Sequence, residues 1–400
     1  MKHNSTILLW ICFLCYAFTG ALFIVTGVVL GDMAAYFKLS LDEMGSTFTW
    51  LNSGILVTTI INMWLMEKLP LRYQFFGASV LIAVAVALFF ASTGLITFSV
   101  GMFLIGGASG ILMSTSTYMI THMYEGRLRA ARLLFTDSFF SMAGTIFPIL
   151  AGYLLVRGAP WQWVYVSIAG IAALTLLLTL IANFDGLNPT ERAVVQNPEV
   201  SKKEPWGLGV FLIASSATAY ILGQLGLMAW IPEMLRAKFS INLTEAGTVV
   251  SHFWTSYMVG MWIFSYILRL FGPVKVVFFQ AGVSVILIYL FLNSSNMTMA
   301  NILIAAFGFS SSGIYTTLIT IGTLQTREPS PTLVNFILLC GSTGTMLTFV
   351  VTSPLMKHFG VDFTLYVMNT LYLYVFIICA VMPFVSRHKH HANNNHAVTG

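Results

Sequence analysis

The chain has 400 residues, of which 57% are hydrophobic and only 8% charged, and its mean hydropathy is +0.84. Soluble globular domains carry roughly 25% charged residues, so a water-soluble fold is excluded and most of the chain must lie in lipid. The formal net charge of +5 reflects how the loops are oriented and attracted to anionic lipid; it is not the footprint of a nucleic-acid binder.

Apolar runs of about 20 residues, long enough to cross a bilayer as a helix, recur along the chain. In order they fall near 7–30, 47–66, 74–92, 97–122, 133–155, 161–183, 207–231, 246–268, 274–292, 299–323, 331–355 and 363–385. These are spans one to twelve of an expected all-α membrane protein. Met1-Lys2-His3 is a thin basic start. The run after it is too long for a signal-peptide core and has no convincing small-residue cleavage site, so it is expected to remain as the first helix. Cys12 and Cys15 form a C-x-x-C inside that apolar run, with no His or acidic companion. Packing is the better reading than metal or redox chemistry.

Only Asn183 to Pro205 reads as a soluble linker, with Asp185, Glu191, Arg192, Glu199, Lys202, Lys203 and Glu204 among Pro and Asn. It divides the spans six and six. The expected organisation is therefore a bundle over 1–183, a cytoplasmic linker over 184–206, a second bundle over 207–385 and a cytoplasmic tail over 386–400. Lys38, Arg157, Arg236, Lys238 and Lys357 fall on one side of the membrane, and the other fourteen of the 19 Lys and Arg on the opposite side. The positive-inside rule then puts both termini in the cytoplasm.

Two stretches recur half a chain apart. Phe37, Leu39, Ser40, Leu41, Glu43, Gly45 and Ser46 match Phe239, Ile241, Asn242, Leu243, Glu245, Gly247 and Thr248 at a shift of 202. Ser109, Gly110, Ile111, Ser114, Thr117 and Glu125 match Ser312, Gly313, Ile314, Thr317, Thr320 and Glu328 at a shift of 203. Ser40 with Glu43, and Asn242 with Glu245, also read as capping boxes at the starts of spans two and eight. The flanking matches favour duplication over coincidence. Six spans per half is an even number, so the halves enter the membrane the same way up, as a parallel repeat with the substrate between them.

After span two comes Glu67-Lys68-Leu69-Pro70-Leu71-Arg72, and after span eight Arg269-Leu270-Phe271-Gly272-Pro273. Here the chain resembles the major facilitator superfamily, whose loop between helices two and three carries Gly-x-x-x-Asp-Arg-x-Gly-Arg. Glu67 and Lys68 stand for the acid and base, while the glycines are missing. Residues 123–150, MYEGRLRAARLLFTDSFFSMAGTIFPIL, with Ala17 to Gly31 and Leu65-Met66-Glu67, are similar to the TsgA family of bacterial inner-membrane proteins, in the fucose:proton symporter branch. The resemblance implies the twelve-helix fold of that superfamily in a multi-pass inner-membrane carrier.

It also implies that helices one, four, seven and ten face a central cavity. Small hydroxylated stripes do lie on two of these: Gly106, Gly110, Ser114, Thr117 and Thr121 on span four, and Ser310, Gly313, Thr317 and Thr320 on span ten. Such stripes serve close helix packing or line a cavity. Span one adds Tyr16, Thr19 and Thr26, and span seven Ser216, Tyr220 and Gln224. The expected substrate-binding set is Tyr16, Thr19, Ser114, Thr117, Tyr220, Gln224, Thr317 and Thr320. Hydroxyls, an amide and phenols bind through neutral hydrogen bonds, which points to a small polar organic solute.

An ionisable group in hydrocarbon costs roughly 2.5–3.5 kcal/mol on insertion scales, so each needs a reason. Asp137 lies about one turn into span five, between Thr136 and Ser138. It is either a gate or packing partner of Arg132, Arg129 or Arg269, or a proton or substrate site. Asp32 ends span one, where the resemblance places the first-helix carboxylate that takes the proton in the fucose symporter branch; a solvated interfacial acid is the alternative. The second acid of that branch belongs in helix four. Ile111-Leu112-Met113-Ser114 holds none, which argues against fucose-type coupling and sugar specificity. His122 near the cytoplasmic end of span four is close in depth to Asp137 and a candidate for pairing with it. His252 is a further protonation candidate or a helix contact, and the tail histidines His388, His390, His391 and His396 belong to a soluble end.

Gly106, Gly110, Gly341 and Gly344 lie mid-membrane with no strand before them, so nucleotide-loop readings fail. No metal, cofactor or enzymatic constellation is expected. The expected function is a monomeric secondary-active transporter working by alternating access, with import by proton symport favoured by the family likeness. The alternatives are an exporter of the same fold and a membrane sensor or scaffold that has lost transport.

Overall fold

The computed structural model describes residues 2–39, 44, 47–189, 206–241, 243–326 and 329–396, and these are almost entirely helical. Ser40, Glu43 and Asn242 of the two capping boxes, and most of the central linker, lie outside the described residues. Helix is what lipid dictates, because each backbone N–H and C=O must be satisfied within its own segment where no water is available.

The spans follow the apolar runs closely. Spans one to six are Lys2–Val28, Phe48–Lys68, Leu71–Ala91, Leu95–Met123, Gly126–Val156 and Gln162–Ile181. Spans seven to nine are Leu208–Phe239, Leu243–Leu270 and Pro273–Leu292. Span eight is rich in Ser, Thr, Tyr and Trp and is less apolar than its neighbours. Span ten comes in two pieces, Met297–Ser311 and Ile314–Thr323. Spans eleven and twelve lie within Pro331–His396, separated at Gly360, whose φ of 84° and ψ of 174° no L side chain adopts easily.

The duplication is visible in the backbone. Among the described residues, the two non-glycine residues with positive φ are Lys38 (56°) and Ser240 (53°), and 38 plus 202 is 240. Lys38 closes the short helix Leu30–Phe37 that continues span one, and Ser240 closes span seven. A left-handed residue with a side chain costs roughly 1–2 kcal/mol, so its recurrence at the same place in both halves marks inherited geometry.

Helix contacts repeat as well. A Cβ on Gly106 of span four would collide with the carbonyl oxygen of Leu51 in span two, and a Cβ on Gly308 of span ten would collide with that of Phe253 in span eight. Both residues of the second pair lie 202 positions after those of the first. One turn further along, Gly110 meets Thr58, and Ser312 meets Gly260, again at 202, with the small residue on the opposite helix. Small residues that let backbones touch are the main means of helix association in lipid.

The described chain divides into two compact units. One holds Met1–Tyr124, Thr136–Lys203 and Ser330–Leu339; the other holds Glu125–Phe135, Glu204–Pro329 and Cys340–Gly400. Each unit thus takes a short segment from the opposite half of the sequence. The two exchanged segments correspond under the 203 shift, since Arg127 plus 203 is Ser330.

Candidate functional site

In the N-terminal unit, spans one and four meet through hydroxyls. Tyr16 Oη lies 2.7 Å from Thr117 Oγ1, and Ser109 Oγ donates to Thr19 Oγ1 at 3.0 Å. Thr117 passes its own proton to the Met113 carbonyl oxygen at 2.7 Å. The tyrosine is therefore the donor of the pair, and its phenol is fixed against span four. Asn62 of span two donates through Nδ2 to Ser114 Oγ, while its Oδ1 has no hydrogen-bond partner. Tyr16, Thr19, Ser114 and Thr117 are all buried, at 0–2% exposure. The structure thus buries the four N-terminal candidates in separate hydrogen-bonded pairs, Tyr16 with Thr117, Thr19 with Ser109 and Ser114 with Asn62, and adds Asn62 of span two to them.

The C-terminal unit holds the counterpart. Tyr220 of span seven donates to the Ser311 carbonyl oxygen at 2.9 Å, as Tyr16 of span one donates to span four. Gln224 lies one turn beyond Tyr220 and is buried. Thr317 Oγ1 is buried with no hydrogen-bond partner, whereas Thr320 donates back to the Thr316 carbonyl oxygen at 3.4 Å. Beside these, Ser284 of span nine bonds Ser310 of span ten at 2.9 Å, and Gln280 is fully buried nearby. Neither Ser284 nor Gln280 belonged to the expected set.

The ionisable candidates are spread along the units. Asp32 is exposed, in the first turn of Leu30–Phe37. Asp137 is half-buried between the buried Thr136 and Ser138. His122 stacks on Tyr118, with ring centroids 4.0 Å apart, and its Nδ1 lies 3.0 Å from the Tyr118 carbonyl oxygen. That carbonyl accepts, so Nδ1 carries a proton. His252 Nδ1 lies 2.9 Å from Asn301 Oδ1. Arg269 is exposed in the last turn of span eight.

The exchanged segments put polar side chains on helix ends. Within the C-terminal unit, Arg127 donates to the carbonyl oxygen of Leu270, the last residue of span eight, at 2.9 Å. The buried Arg129 reaches Thr323 Oγ1, at the end of span ten, at 3.4 Å. A guanidinium at a helix C-terminus is favoured both by the free carbonyls and by the helix dipole. Within the N-terminal unit, Thr332 in the first turn of span eleven donates to Glu67 Oε1 at 2.8 Å, and Asn335 abuts Met66. Glu67, read in the sequence as the acid of a loop motif, is thus a carboxylate at a helix N-terminus, the favourable end for negative charge.

No group of three or more His, Cys, Asp or Glu able to hold a metal occurs among the described residues. An open cavity of about 430 Å³ lies between Lys38 and the start of span four at Gly94, away from the hydroxyl networks.

Comparison with known proteins agrees with this architecture. The Major Facilitator Superfamily profile matches residues 9–330. A protein of Yersinia pestis (strain Pestoides F) named Protein TsgA homolog is 49% identical over 395 residues, covering 99% of this chain and 100% of that protein. Among solved structures, the superfamily transporter FucP in its outward conformation superposes with a TM-score of 0.79 at 15% identity, covering 94% of this chain and 98% of FucP. The proton:xylose symporter XylE does so with a TM-score of 0.73 at 12% identity, covering 95% and 94%. At those identities the two structures speak for the fold alone. The profile match and the near full-length relative go further, and the chain belongs to the major facilitator superfamily, with the TsgA proteins, as a secondary transporter rather than an enzyme.

Proposed function

We propose that this carrier imports a small, polar, uncharged organic solute across the bacterial inner membrane by alternating access, with protons as the coupling ion and both termini in the cytoplasm. The observation that carries the reading is a buried phenol on the first span of each half, at positions not equivalent under the 202 shift, since Tyr16 corresponds to Thr218 and Tyr220 to Phe18. Tyr16 and Tyr220 each stand on the first span of their half and each hydrogen-bond to the fourth, at Thr117 and at the Ser311 carbonyl. A substrate that competes for those phenols and for the adjoining Thr19, Ser114, Gln224, Thr317 and Thr320 is recognised by neutral hydrogen bonds. A highly charged solute would lose its hydration there without an opposite charge to replace it. Two similar folds are titled as symporters of fucose and of xylose with protons, which favours proton coupling through Asp32, Asp137 or His122.

The exchanged segments supply the gate in this proposal. Arg127 and Arg129 on the ends of spans eight and ten, and Thr332 on Glu67, tie each exchanged segment to helices of the other half of the sequence, and their release is the gating step of this proposal. Asp137, just past the first exchanged segment, and Arg269, at the end of span eight, are placed to respond to that release.

The test is a thermal-shift screen of the purified protein against sugars, nucleosides, amino acids and organic acids, followed by uptake of the hit into proteoliposomes under an imposed pH gradient. The proposal expects a neutral polar hit and saturable uptake that rises with inward-acid drive. A binding profile confined to organic acids, or no solute-dependent uptake, overturns it. In the same assay Asp137→Asn at normal folded yield is expected to lose gradient-driven uptake, and normal uptake would remove Asp137 from the mechanism.

A further inference from the structure

Between equivalent landmarks, span ten carries one residue more than span four. Contacts with the neighbouring spans align Gly106 with Gly308 and Gly110 with Ser312 at a shift of 202, whereas Ser114 and Thr117 align with Thr317 and Thr320 at 203. Between Gly110 and Ser114 span four reads Gly110-Ile111-Leu112-Met113-Ser114, and between their counterparts span ten reads Ser312-Gly313-Ile314-Tyr315-Thr316-Thr317, one residue more. A helix absorbs an extra residue by a bulge or a break, and such points are frequent at functional sites. Span ten is interrupted at Ser312 and Gly313, where the regular helix gives way to turns whose φ/ψ of −62°/−17° and −113°/−3° stay in the right-handed region, while span four runs without interruption.

The break is polar in a way its counterpart is not. Gln280 and Ser284 share one face of span nine, four residues apart. Ser284 bonds Ser310, and the Gln280 amide lies 3.0–3.1 Å from where a Cβ on Gly313 would sit. Gln280 is fully buried, and neither its oxygen nor its nitrogen has a hydrogen-bond partner. The equivalent residues of span three are Ala78 and Ile82, both buried and apolar. A wholly buried amide without partners is strongly disfavoured, so its aim at the interruption of span ten calls for a ligand.

The hydrogen bonds fix the sign of that ligand. Ser310, Ser311 and Ser312 donate their hydroxyl protons to the carbonyl oxygens of Phe307, Gly308 and Phe309, at 3.1, 3.4 and 2.8 Å. With the Ser310 proton so used, Ser284 is the donor to Ser310, and Tyr220 donates to the Ser311 carbonyl. Every hydroxyl in the cluster has spent its proton and keeps oxygen lone pairs, and Gln280 adds an amide oxygen. A set of neutral oxygens suits a hard cation, and the lack of any carboxylate in it cannot offset the dehydration of a divalent one. Interrupted transmembrane helices are where carriers of other folds hold Na⁺.

We propose that the break in span ten is a binding site for a monovalent alkali cation, Na⁺ in the first instance, held by Gln280 Oε1, Ser284 Oγ and Ser310 Oγ. The site lies wholly in the C-terminal unit and stands whether or not the proton-coupled import reading holds. Its test is the melting temperature of the full-length purified protein in choline chloride, titrated with NaCl, KCl or LiCl at constant ionic strength and without any organic solute. A saturable rise of a few degrees with Na⁺ is expected, absent in Gln280→Leu and in Ser284→Ala. Gln74→Leu, which removes another buried, unpartnered amide in span three, is expected to keep the rise. If Gln280→Leu fails to fold, Gln280→Glu supplies a carboxylate in nearly the same shape and is expected to lower the Na⁺ concentration at half-effect several-fold. Equal melting curves in Na⁺ and choline, or a Na⁺ response that survives Gln280→Leu, overturn the site.

Discussion

Spans four and ten descend from one ancestral helix, and they show what a single residue does to a membrane span. Each uses a glycine, Gly106 or Gly308, to press its backbone onto the preceding even-numbered span at an equivalent point. Past that contact, Leu95–Met123 continues as one helix while its counterpart divides into Met297–Ser311 and Ile314–Thr323. Three consecutive serines bonding back to their own i−3 carbonyls lower the cost of the division, because such bonds compete with the helix ladder. The N-terminal copy is thus one continuous packing helix, and the C-terminal copy a span with a local interruption at Ser312 and Gly313.

The largest effect in that comparison belongs to the shared contact. Gly106→Ala and Gly308→Ala each place a Cβ against a backbone carbonyl that has no side-chain freedom to yield, and overpacking of this kind costs about 1–3 kcal/mol or more. Both are expected to lose most folded yield in fluorescence-detected size exclusion. Damage confined to one of them would break the equivalence of the two spans.

Next in size is deletion of Gly313, which removes the residue that span ten carries in excess of span four between Ser312 and Thr317, the counterparts of Gly110 and Ser114. If the break exists to absorb an extra residue, the deletion variant is expected to fold at near normal yield with lower uptake. Deletion of Ile304, upstream of the break in a continuous helix, is expected to abolish folding. Equal loss in both would mean that the break has another origin.

Smaller again are the helix-end contacts of the exchanged segments. Thr332→Ala removes one hydrogen bond to a carboxylate, about 1.5–3 kcal/mol at most where the pair is shielded and less where solvent reaches it. It is expected to lower the melting temperature slightly while raising cysteine accessibility on the cytoplasmic side. Unchanged accessibility would take Glu67 out of the gate. The least effect is expected from Lys38→Gly and Ser240→Gly, which relieve left-handed strain at equivalent turns at the cost of a more flexible unfolded chain. A gain of a few tenths to about 1 kcal/mol in each, and of similar size in both, is the outcome that matches the duplication.

Much of the fold was legible in the sequence, because a bilayer leaves a chain few options. Runs of apolar length marked the spans, and two echoes half a chain apart marked the repeat. The one-residue insertion was present in the disagreement between the 202 and 203 shifts, but its place became visible only when the Gly106 and Gly308 contacts fixed the register. The exchange of 125–135 and 330–339 between units has no signature in composition or periodicity, since those segments are ordinary span ends. Of the candidates, Ser114 and Thr117 were marked by their spacing on span four and Tyr16 and Thr19 by their place on span one, and each is buried in a hydrogen bond to a neighbouring span. Asn62 and Gln280 were missed because an amide in an apolar run says nothing about which neighbour it faces. They could have been found by asking which amides of one half have no polar counterpart in the other, a test that Gln280 against Ala78 passes.

The central claim is that two like bundles stand the same way up in the membrane, and the turns at Lys38 and Ser240 test it most directly. Cysteines placed at 38 and 240, in a background lacking Cys12, Cys15, Cys340 and Cys379, can be challenged in intact cells with a membrane-impermeant thiol reagent. Labelling of both positions from outside is the result the account predicts. Labelling of one from outside and of the other only after the membrane is opened would contradict it, since the halves would then be inverted.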